Sequence, residues 1–276
     1  MSYDPKTHKF PFPEDTDKHY ITVKKDNGLV FDGKYPYIDG SVFFRFKKAL
    51  VRILLYILVF PVATVRTGLR IKGRTNLKKH RDLLQKGVIS CSNHVHFWDY
   101  ICVMKAVRPF KPYVIVWDRN IRGENGTMSR LTGGIPFPSD NIHGAGSFMR
   151  AIKKMLGDGG WLHIYAEGSM WEYYKPIRPF KGGAGSLAVK TEKPILPLAF
   201  SYREPGFIRK KIFRQIALLD LHIGEPIFID ENIPTYEREN DITKRAHDEV
   251  CRLAGIDPEE NLYPPIFDNS KRVDYY

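Results

Sequence analysis

The chain has 276 residues, of which 43% are hydrophobic and 27% are charged, and its formal net charge is +12. This composition is that of a globular protein with room for one large domain or two small ones, and it excludes a disordered or fibrous chain. Three scattered cysteines argue against a disulfide scaffold and favour a reducing compartment, and the N-terminus lacks the apolar stretch of a secretory signal.

The two ends of the chain lack the periodicity of helices or strands. Residues 1–40 are rich in Pro, Asp, Lys and Tyr, which predicts an extended arm packed on, or trailing from, the rest of the molecule. Residues 256–276 include Pro264 and Pro265 and are predicted to form a tail.

The positive charge is concentrated next to the arm. Between Gly40 and Arg81 there is no acidic residue, whereas the same stretch holds eleven basic ones: Arg45, Lys47, Lys48, Arg52, Arg66, Arg70, Lys72, Arg74, Lys78, Lys79 and Arg81. The rest of the chain is close to neutral. A basic segment of this kind needs an anionic partner: nucleic acid, a phospholipid surface or an acidic substrate.

Residues 41–67 combine these cations with aromatic and aliphatic residues, which favours the phospholipid surface. The apolar run from Ile53 to Val65 has 13 residues, too few to span a bilayer of about 30 Å. We therefore predict a basic amphipathic helical segment in the membrane interface, with these membrane-binding residues: Phe43, Phe44, Arg45, Phe46, Lys47, Lys48 and Arg52. The alternative is a buried core helix. Pro61 is expected to kink the helix or to end it in a two-part hairpin, and nucleic acid is disfavoured because no base-reading motif is present.

From residue 68 onwards, short apolar runs alternate with helical stretches. The predicted strands are Leu69–Lys72, Val88–Ser92, Tyr113–Trp117, Trp161–Tyr165, Ile195–Ser201 and Ile216–Ile223, and the predicted helices lie near 76–86, 98–107, 144–156, 183–191 and 240–254. This alternation predicts an α/β domain over residues 68–255, in which a single mixed, largely parallel sheet is flanked by helices.

The sharpest motif follows the second predicted strand, where α/β domains place their active residues. Asn93, His94 and Asp99 stand in the sequence NHVHFWD, and this spacing across a turn allows the Asp99 carboxylate to fold back to the His94 imidazole. A carboxylate that accepts the Nδ1 proton fixes the tautomer and leaves Nε2 free as a base. One alternative is a helix cap beside a surface histidine. The other is a metal site of His94, His96 and Asp99, which the scattered cysteines and the lack of an HExxH spacing disfavour.

Two further turns carry polar residues. Glu167, Gly168 and Ser169 follow the predicted strand WLHIY, and the glycine allows a ligand or a backbone to approach closely. The segment RPFKGGAGS, which includes Lys181, opens a predicted helix whose glycine-rich start is suited to an anion such as phosphate. Taken alone, the first is equally an ordinary turn and the second a loop-to-helix junction.

Together and in this order, these segments resemble the 1-acylglycerol-3-phosphate O-acyltransferases, the lysophospholipid acyltransferase family. Asn93, His94 and Asp99 match the Asn-His-x4-Asp block of that family, and AEGS at 166–169 matches its Pro-Glu-Gly-Thr/Ser block. The segments FKGG, PILP and GEPI follow in the family's order, and the basic apolar segment before the first block is similar to the family's membrane-binding motif. The resemblance covers roughly residues 41–230.

The chain departs from this family at two arginine positions, the first of which is thought to hold the phosphate of the acceptor. The stretch GGIPFPSD at 133–140 has no arginine, and Met170 stands where the third block has one. A replacement cation would come from Arg130, Lys175, Arg178 or Lys181. The alternative acceptors are a different lysolipid or a lipid-linked alcohol.

The resemblance implies an acyltransferase of phospholipid biosynthesis at the cytoplasmic face of a membrane, peripheral or monotopic. Acyl-CoA or acyl carrier protein would be the co-substrate, and a lysophospholipid such as 1-acylglycerol-3-phosphate would accept the acyl group; no cofactor and no metal are expected. His94 would be the base, Asp99 would orient it, and the substrate-binding residues would be Asn93, Glu167, Gly168, Ser169 and Lys181. The rival hypotheses are a metal-dependent hydrolase using His94, His96 and Asp99, and a non-catalytic membrane-binding protein with the same fold.

Overall fold

A computed structural model describes residues 26–139 and 141–261 of the chain, and seven strands within these ranges form one sheet. The strands are β1 Arg70–Lys72, β2 Val88–Ser92, β3 Tyr113–Trp117, β4 Gly134–Phe137, β5 Trp161–Tyr165, β6 Ile195–Arg203 and β7 Leu218–Ile223. Their order in the sheet is β1-β7-β6-β2-β5-β3-β4. Neighbouring strands are parallel except for the antiparallel pair β6 and β7. The predicted mixed, largely parallel sheet is therefore confirmed.

Helices cover both faces of this sheet. They are α1 Val42–Leu54, α2 Phe60–Thr67, α3 Arg74–Lys79, α4 Arg81–Leu84, α5 Asp99–Ala106, α6 Asp118–Arg122, α7 Gly126–Thr132, α8 Ile142–Gly157, α9 Gly183–Thr191, α10 Phe207–Lys211 and α11 Arg238–Ala254. The six strands and four of the five helices expected from periodicity are present, and the helix expected near 76–86 is divided at His80 into α3 and α4. Strand β4 and helices α6, α7 and α10 were not expected. Strand β4 contains Gly134 and Pro136, which disfavour a strand interior, and it lies at the edge of the sheet, where proline is tolerated.

The core lies on both sides of β2, whose five residues are all buried. Ile89 and Cys91 face a cluster that includes Ile152 and Leu156 of α8, while Val88 faces the opposite cluster with Val103 of α5. Because successive strand residues point to opposite faces, a strand buried on both sides reads as a continuous apolar run. Strand β2 is thus packed on both faces up to its last residue, Ser92, which precedes Asn93 and His94.

The described part of the arm, residues 26–40, packs against the domain. Phe31 and Tyr37 are buried, and the Tyr37 ring contacts Phe148 of α8 edge-on at 5.7 Å. Arg130 of α7 donates hydrogen bonds to the carbonyl oxygens of Pro36 and Tyr37. Residues 1–25 and 262–276, which hold the rest of the predicted arm and most of the predicted tail, lie outside the described residues.

Residues 42–67 form one continuous helical segment of 26 residues, in which a π-helical turn at Leu55–Val59 joins α1 to α2. Pro61 does not end the helix or produce a hairpin. It follows the π-helical turn, and Val59 and Phe60 on its N-terminal side keep helical backbone angles. The segment is long and apolar enough to cross a membrane by length and composition, because its flanks extend the 13-residue run read from the sequence.

The helical segment has an inner and an outer face. Phe44, Lys48 and Arg52 recur every four residues and lie towards the domain. The Lys48 ammonium is 3.7 Å from the centre of the Tyr113 ring, and burial together with Arg52, Arg130 and Lys111 lowers the pKa of Lys48 to about 7. Phe43, Arg45, Phe46 and Lys47 are exposed on the outer face. Lipid contact by the predicted membrane-binding residues stays a prediction, and only the second group is positioned for it without rearrangement.

Candidate active site

Two turns meet at the carboxyl edge of the sheet, because β2 and β5 are parallel neighbours. The first turn follows Ser92 and leads into α5; the second follows Tyr165. Backbone hydrogen bonds join them: the N–H of Trp171 donates to the His94 carbonyl at 3.0 Å, and the N–H of Tyr173 donates to the Val95 carbonyl at 2.8 Å. The two motifs that the sequence separates by about seventy residues therefore form a single rigid unit.

His94 and Asp99 form the predicted pair. The Nδ1 atom of His94 is 2.6 Å from Oδ2 of Asp99, the first residue of α5. The same oxygen accepts the backbone N–H groups of Val95 at 3.2 Å and His96 at 3.4 Å. The Asp99 side chain is 1% exposed, whereas that of His94 is 24% exposed. The carboxylate is therefore fixed from three sides, and the imidazole keeps access to solvent.

Tyr165 completes the pair, and the sequence analysis did not identify it. Its hydroxyl donates to Oδ1 of Asp99 at 2.7 Å, and its ring stacks on the His94 imidazole at a centroid distance of 3.8 Å and an interplanar angle of 14°. Tyr165 is the last residue of β5 and lies opposite Ser92 in the register of the two strands. The sequence feature that could have identified Tyr165 is a polar aromatic residue at the carboxyl end of a buried strand.

Burial and hydrogen bonding set the charges of this group. Burial alone would raise the pKa of Asp99, but the His94 imidazole and the hydrogen bonds from His94 and Tyr165 outweigh it, so the pKa lies below its usual value. Burial lowers the pKa of His96 to about 4. At neutral pH Asp99 is therefore ionised beside His94, while His96 is neutral.

Glu167 and Ser169 face the protein interior, where they bind Arg178. The Glu167 carboxylate accepts the His94 backbone N–H at 3.0 Å and the Arg178 backbone N–H at 2.8 Å, and it pairs with the Arg178 guanidinium at 3.0 Å. Arg178 also donates to the Ser169 hydroxyl at 2.7 Å. Glu167, Ser169 and Arg178 are each at most 3% exposed. Their contacts support the turn after β2 that carries His94, and Arg178 is already occupied by this ion pair.

The remaining predicted substrate residues lie on either side of the two turns. Asn93 is buried and exchanges two hydrogen bonds with the Phe200 backbone of β6, at 2.8 and 3.0 Å. Gly168 has a φ of +81°, and a Cβ there would come within 2.7 Å of the Lys181 side chain. Lys181 is exposed and lies across Gly168, next to the second turn. Lys175, another cation predicted from the sequence, is also exposed and lies on the segment that follows this turn.

The arrangement of the histidines does not resemble a metal site. Nδ1 of His94 is used by Asp99, and Nδ1 of His96 accepts the backbone N–H of Trp98 at 3.0 Å. Within residues 26–139 and 141–261, no group of three or more His, Cys, Asp or Glu side chains is placed to hold a metal ion. Another cation does approach the turn that carries His94: the Arg66 guanidinium of α2 lies 6.0 Å from the centre of the Trp98 ring.

Comparisons with known proteins agree with the motifs. Residues 68–201 match the family model described as Acyltransferase. Among solved structures, the chain is similar to the 1-acyl-sn-glycerophosphate (LPA) acyltransferase PlsC from Thermotoga maritima, with 18% sequence identity and a TM-score of 0.48 over 81% of this chain and 94% of that chain. No curated protein matches the chain. The resemblance read from the motifs is confirmed by this family model, which matches the part of the chain that carries the motifs from Asn93 through PILP.

Proposed function

We propose that this protein transfers a fatty acyl group from an acyl thioester, acyl-CoA or acyl carrier protein, to a hydroxyl group of a lysophospholipid in phospholipid biosynthesis. The observation that carries the proposal is the His94–Asp99 pair at 2.6 Å, with a buried carboxylate and a partly exposed imidazole. Nε2 of His94 makes no hydrogen bond within the described part of the chain, so it is available to an acceptor hydroxyl.

The reaction proceeds by direct transfer. Nε2 of His94 takes the proton of the acceptor hydroxyl while the hydroxyl oxygen attacks the thioester carbonyl carbon. The tetrahedral intermediate then expels the thiolate, which receives the proton from the imidazolium, so that an ester and a free thiol result. General-base assistance of this kind contributes about 10²–10⁴-fold to the rate. No covalent acyl-enzyme is needed.

The neighbours of His94 prepare it for this role. Asp99 holds the Nδ1 proton and stabilises the imidazolium as it forms. The Tyr165 hydroxyl binds the second carboxylate oxygen at 2.7 Å, and Glu167 fixes the His94 backbone at 3.0 Å. Both the ring and the main chain of His94 are thereby preorganised, which lowers the reorganisation that the reaction would otherwise require.

The helical segment 42–67 supplies the lipid surface. Its inner residues contact α5 along much of its length: Phe60 packs with Met104, and the Thr67 hydroxyl lies 3.8 Å from Sγ of Cys102. A helix bound in this way to a water-exposed domain is suited to lie in one leaflet rather than to cross the bilayer. We place it on the cytoplasmic face, where anionic lipids attract its cations.

The class of acceptor is inferred from cations near the two turns. Lys181 beside Gly168 and Arg66 beside Trp98 are placed to meet a lipid phosphate. Arg130, a candidate from the sequence, instead binds the carbonyl oxygens of Pro36, Tyr37 and Gly134. A phosphate-bearing lysolipid such as 1-acylglycerol-3-phosphate is therefore our first candidate, and a lipid-linked alcohol is the second.

The test is a transfer assay on the full chain with phospholipid vesicles. Acyl-CoA and acyl carrier protein are each supplied with a panel of lysophospholipids and lipid alcohols, and products are identified by mass spectrometry. We expect acylated lipid to form, and we expect the rate of its formation to be the same with and without a chelator. Thioester hydrolysis without any acylated lipid, or activity abolished by chelators and restored by a metal, would reject the proposal in favour of a hydrolase.

A further inference from the structure

A second exposed apolar and basic surface lies far from the helical segment in sequence. The connection between β6 and β7, residues 204–217, contains α10, none of whose residues is buried. Four large apolar side chains in this connection are mostly exposed: Phe207 at 77%, Ile208 at 61%, Ile212 at 70% and Phe213 at 60%. We call residues 206–214 the β6–β7 loop. An exposed apolar cluster of this size on a globular domain marks a contact surface.

The charge of the loop selects the kind of surface that it fits. Arg209, Lys210, Lys211 and Arg214 alternate with the apolar residues, and no acidic residue occurs between Glu204 and Asp220. The exposed ends of the ion pair between Lys210 and Glu204, 3.5 Å apart, lie at the base of the loop. Exposed aromatic and aliphatic residues interleaved with cations are typical of segments that insert into an anionic lipid interface.

The loop is fixed to the end of the helical segment. The Arg209 guanidinium donates to the Val65 carbonyl at 2.9 Å, and the Gln215 amide donates to the carbonyls of Val65 and Arg66. Arg209 and Gln215 also bind each other at 3.0 Å. These polar groups are turned towards α2, and the apolar side chains of the loop remain outside. The loop therefore continues the exposed apolar stripe that runs along the helical segment to Val65, which is 58% exposed.

The turn that carries His94 borders the same junction. Arg66, whose carbonyl binds Gln215, lies over the Trp98 ring, and the neighbouring Phe97 is 69% exposed. We propose that the β6–β7 loop is a second membrane-docking element, which inserts Phe207, Ile208, Ile212 and Phe213 into an anionic bilayer beside the end of the helical segment. This inference rests on the proposed function, since it adds a second contact to the same lipid surface. Two contacts from different parts of the chain fix the orientation of the domain, and they hold the turn that carries His94 near the lipid headgroups.

Vesicle binding tests the loop directly. The full chain and its Phe207→Ser/Phe213→Ser variant are sedimented with vesicles of phosphatidylglycerol and phosphatidylcholine in equal parts. We expect about tenfold weaker binding for each phenylalanine removed, because each loses the transfer of an aromatic side chain from water. The matched control is Phe228→Ser, which removes a phenylalanine that is 53% exposed in the connection after β7, and it should leave binding unchanged. Equal loss in the control variant, or unchanged binding of the double variant, overturns the proposal.

A second measurement does not depend on losing affinity. The three native cysteines are buried, so a Phe213→Cys variant carries one accessible thiol for an environment-sensitive fluorophore. Insertion predicts a blue-shifted emission and quenching by lipids brominated on their acyl chains. A label that stays in water on vesicles but shifts with an acidic carrier protein overturns the lipid assignment in favour of a protein partner. Both measurements report binding without turnover, so a failure of the loop proposal is distinguishable from a failure of acyl transfer.

Discussion

The carboxyl edge of the sheet around His94, here called the catalytic edge, differs from the outer face of the helical segment in how its side chains are partnered. At the catalytic edge, Asp99 and Glu167 are almost fully buried and each oxygen has a fixed partner. Helix α1 contains no buried residue, and most of its apolar side chains are exposed. Buried polar groups are costly to leave unpaired, whereas exposed side chains tolerate change. Under the proposed function, the first region is preorganised for a reaction, and we propose that a lipid surface covers the second.

The largest effect in this comparison is expected from Asp99→Asn. The amide cannot hold the same tautomer of His94, so kcat should fall by about 10²–10⁴-fold, the contribution expected of general-base catalysis. Vesicle binding should not change, because Asp99 has no contact with the helical segment's outer face. The check is steady-state kinetics on vesicles, in which the fraction of protein bound is measured for each variant. An equal loss of binding and turnover would contradict the separation of the two regions.

The next largest effect concerns stability and follows from Glu167→Gln. Removing one partner leaves the Arg178 charge buried at 2% exposure, which should lower the free energy of unfolding by about 3–5 kcal/mol. Glu249→Gln is the matched control, since it breaks an exposed pair with Arg252 at 3.1 Å. Exposed pairs are worth about 0–1 kcal/mol. Urea denaturation monitored by circular dichroism compares the two variants, and similar losses in both would refute a structural role for the Glu167–Arg178 pair.

Acidification should lower the free energy of unfolding because two buried histidines, His96 and His163, would have to take up protons. Burial lowers the pKa of His96 to about 4 and that of His163 to about 3, so the folded protein excludes protons that the unfolded chain binds below about pH 6.5. Stability therefore rises with pH in this window, and each histidine should cost about 2 kcal/mol between pH 6.5 and pH 5. Denaturation curves of the wild type and His96→Gln at both pH values test this. His96→Gln should lose less stability than the wild type between pH 6.5 and pH 5. The same pH dependence in both proteins would be inconsistent with a neutral His96.

The smallest effect separates the two faces of α1. Arg45 is exposed, whereas the Lys48 ammonium lies against the Tyr113 ring. Arg45→Gln should weaken binding to anionic vesicles by about 1 kcal/mol, roughly fivefold, and the effect should vanish in high salt. Lys48→Gln should leave vesicle binding unchanged. Equal losses for the two substitutions would mean that the helix rotates or detaches when it meets lipid.

The sequence predicts the parts of this molecule that depend on local patterns. Buried strands such as β2 read as apolar runs, and the His94–Asp99 pair follows from a short spacing across one turn. Strand β4 could not be predicted from periodicity because Gly134 and Pro136 conceal it. The continuity of the helical segment across Pro61 could not be predicted either, because proline inside a helix usually kinks or breaks it.

The roles of Tyr165 and Arg178 depend on contacts between distant residues. Tyr165 reaches Asp99 because β5 pairs with β2 in a particular register. Arg178 reads from the sequence as a candidate phosphate ligand, yet the fold places it under the second turn with Glu167. The sequence alone gives the residue types of the site, whereas their partners require the topology of the sheet.

The most direct test of the central claim is the turnover of His94→Ala on vesicles, with lysophospholipid and acyl thioester both saturating, beside His143→Ala as a surface control. The account predicts that His94→Ala loses at least 10²-fold in kcat while the protein remains folded under assay conditions and its vesicle affinity matches that of the wild type. A His94→Ala protein that transfers acyl groups at a near-normal rate would contradict the account.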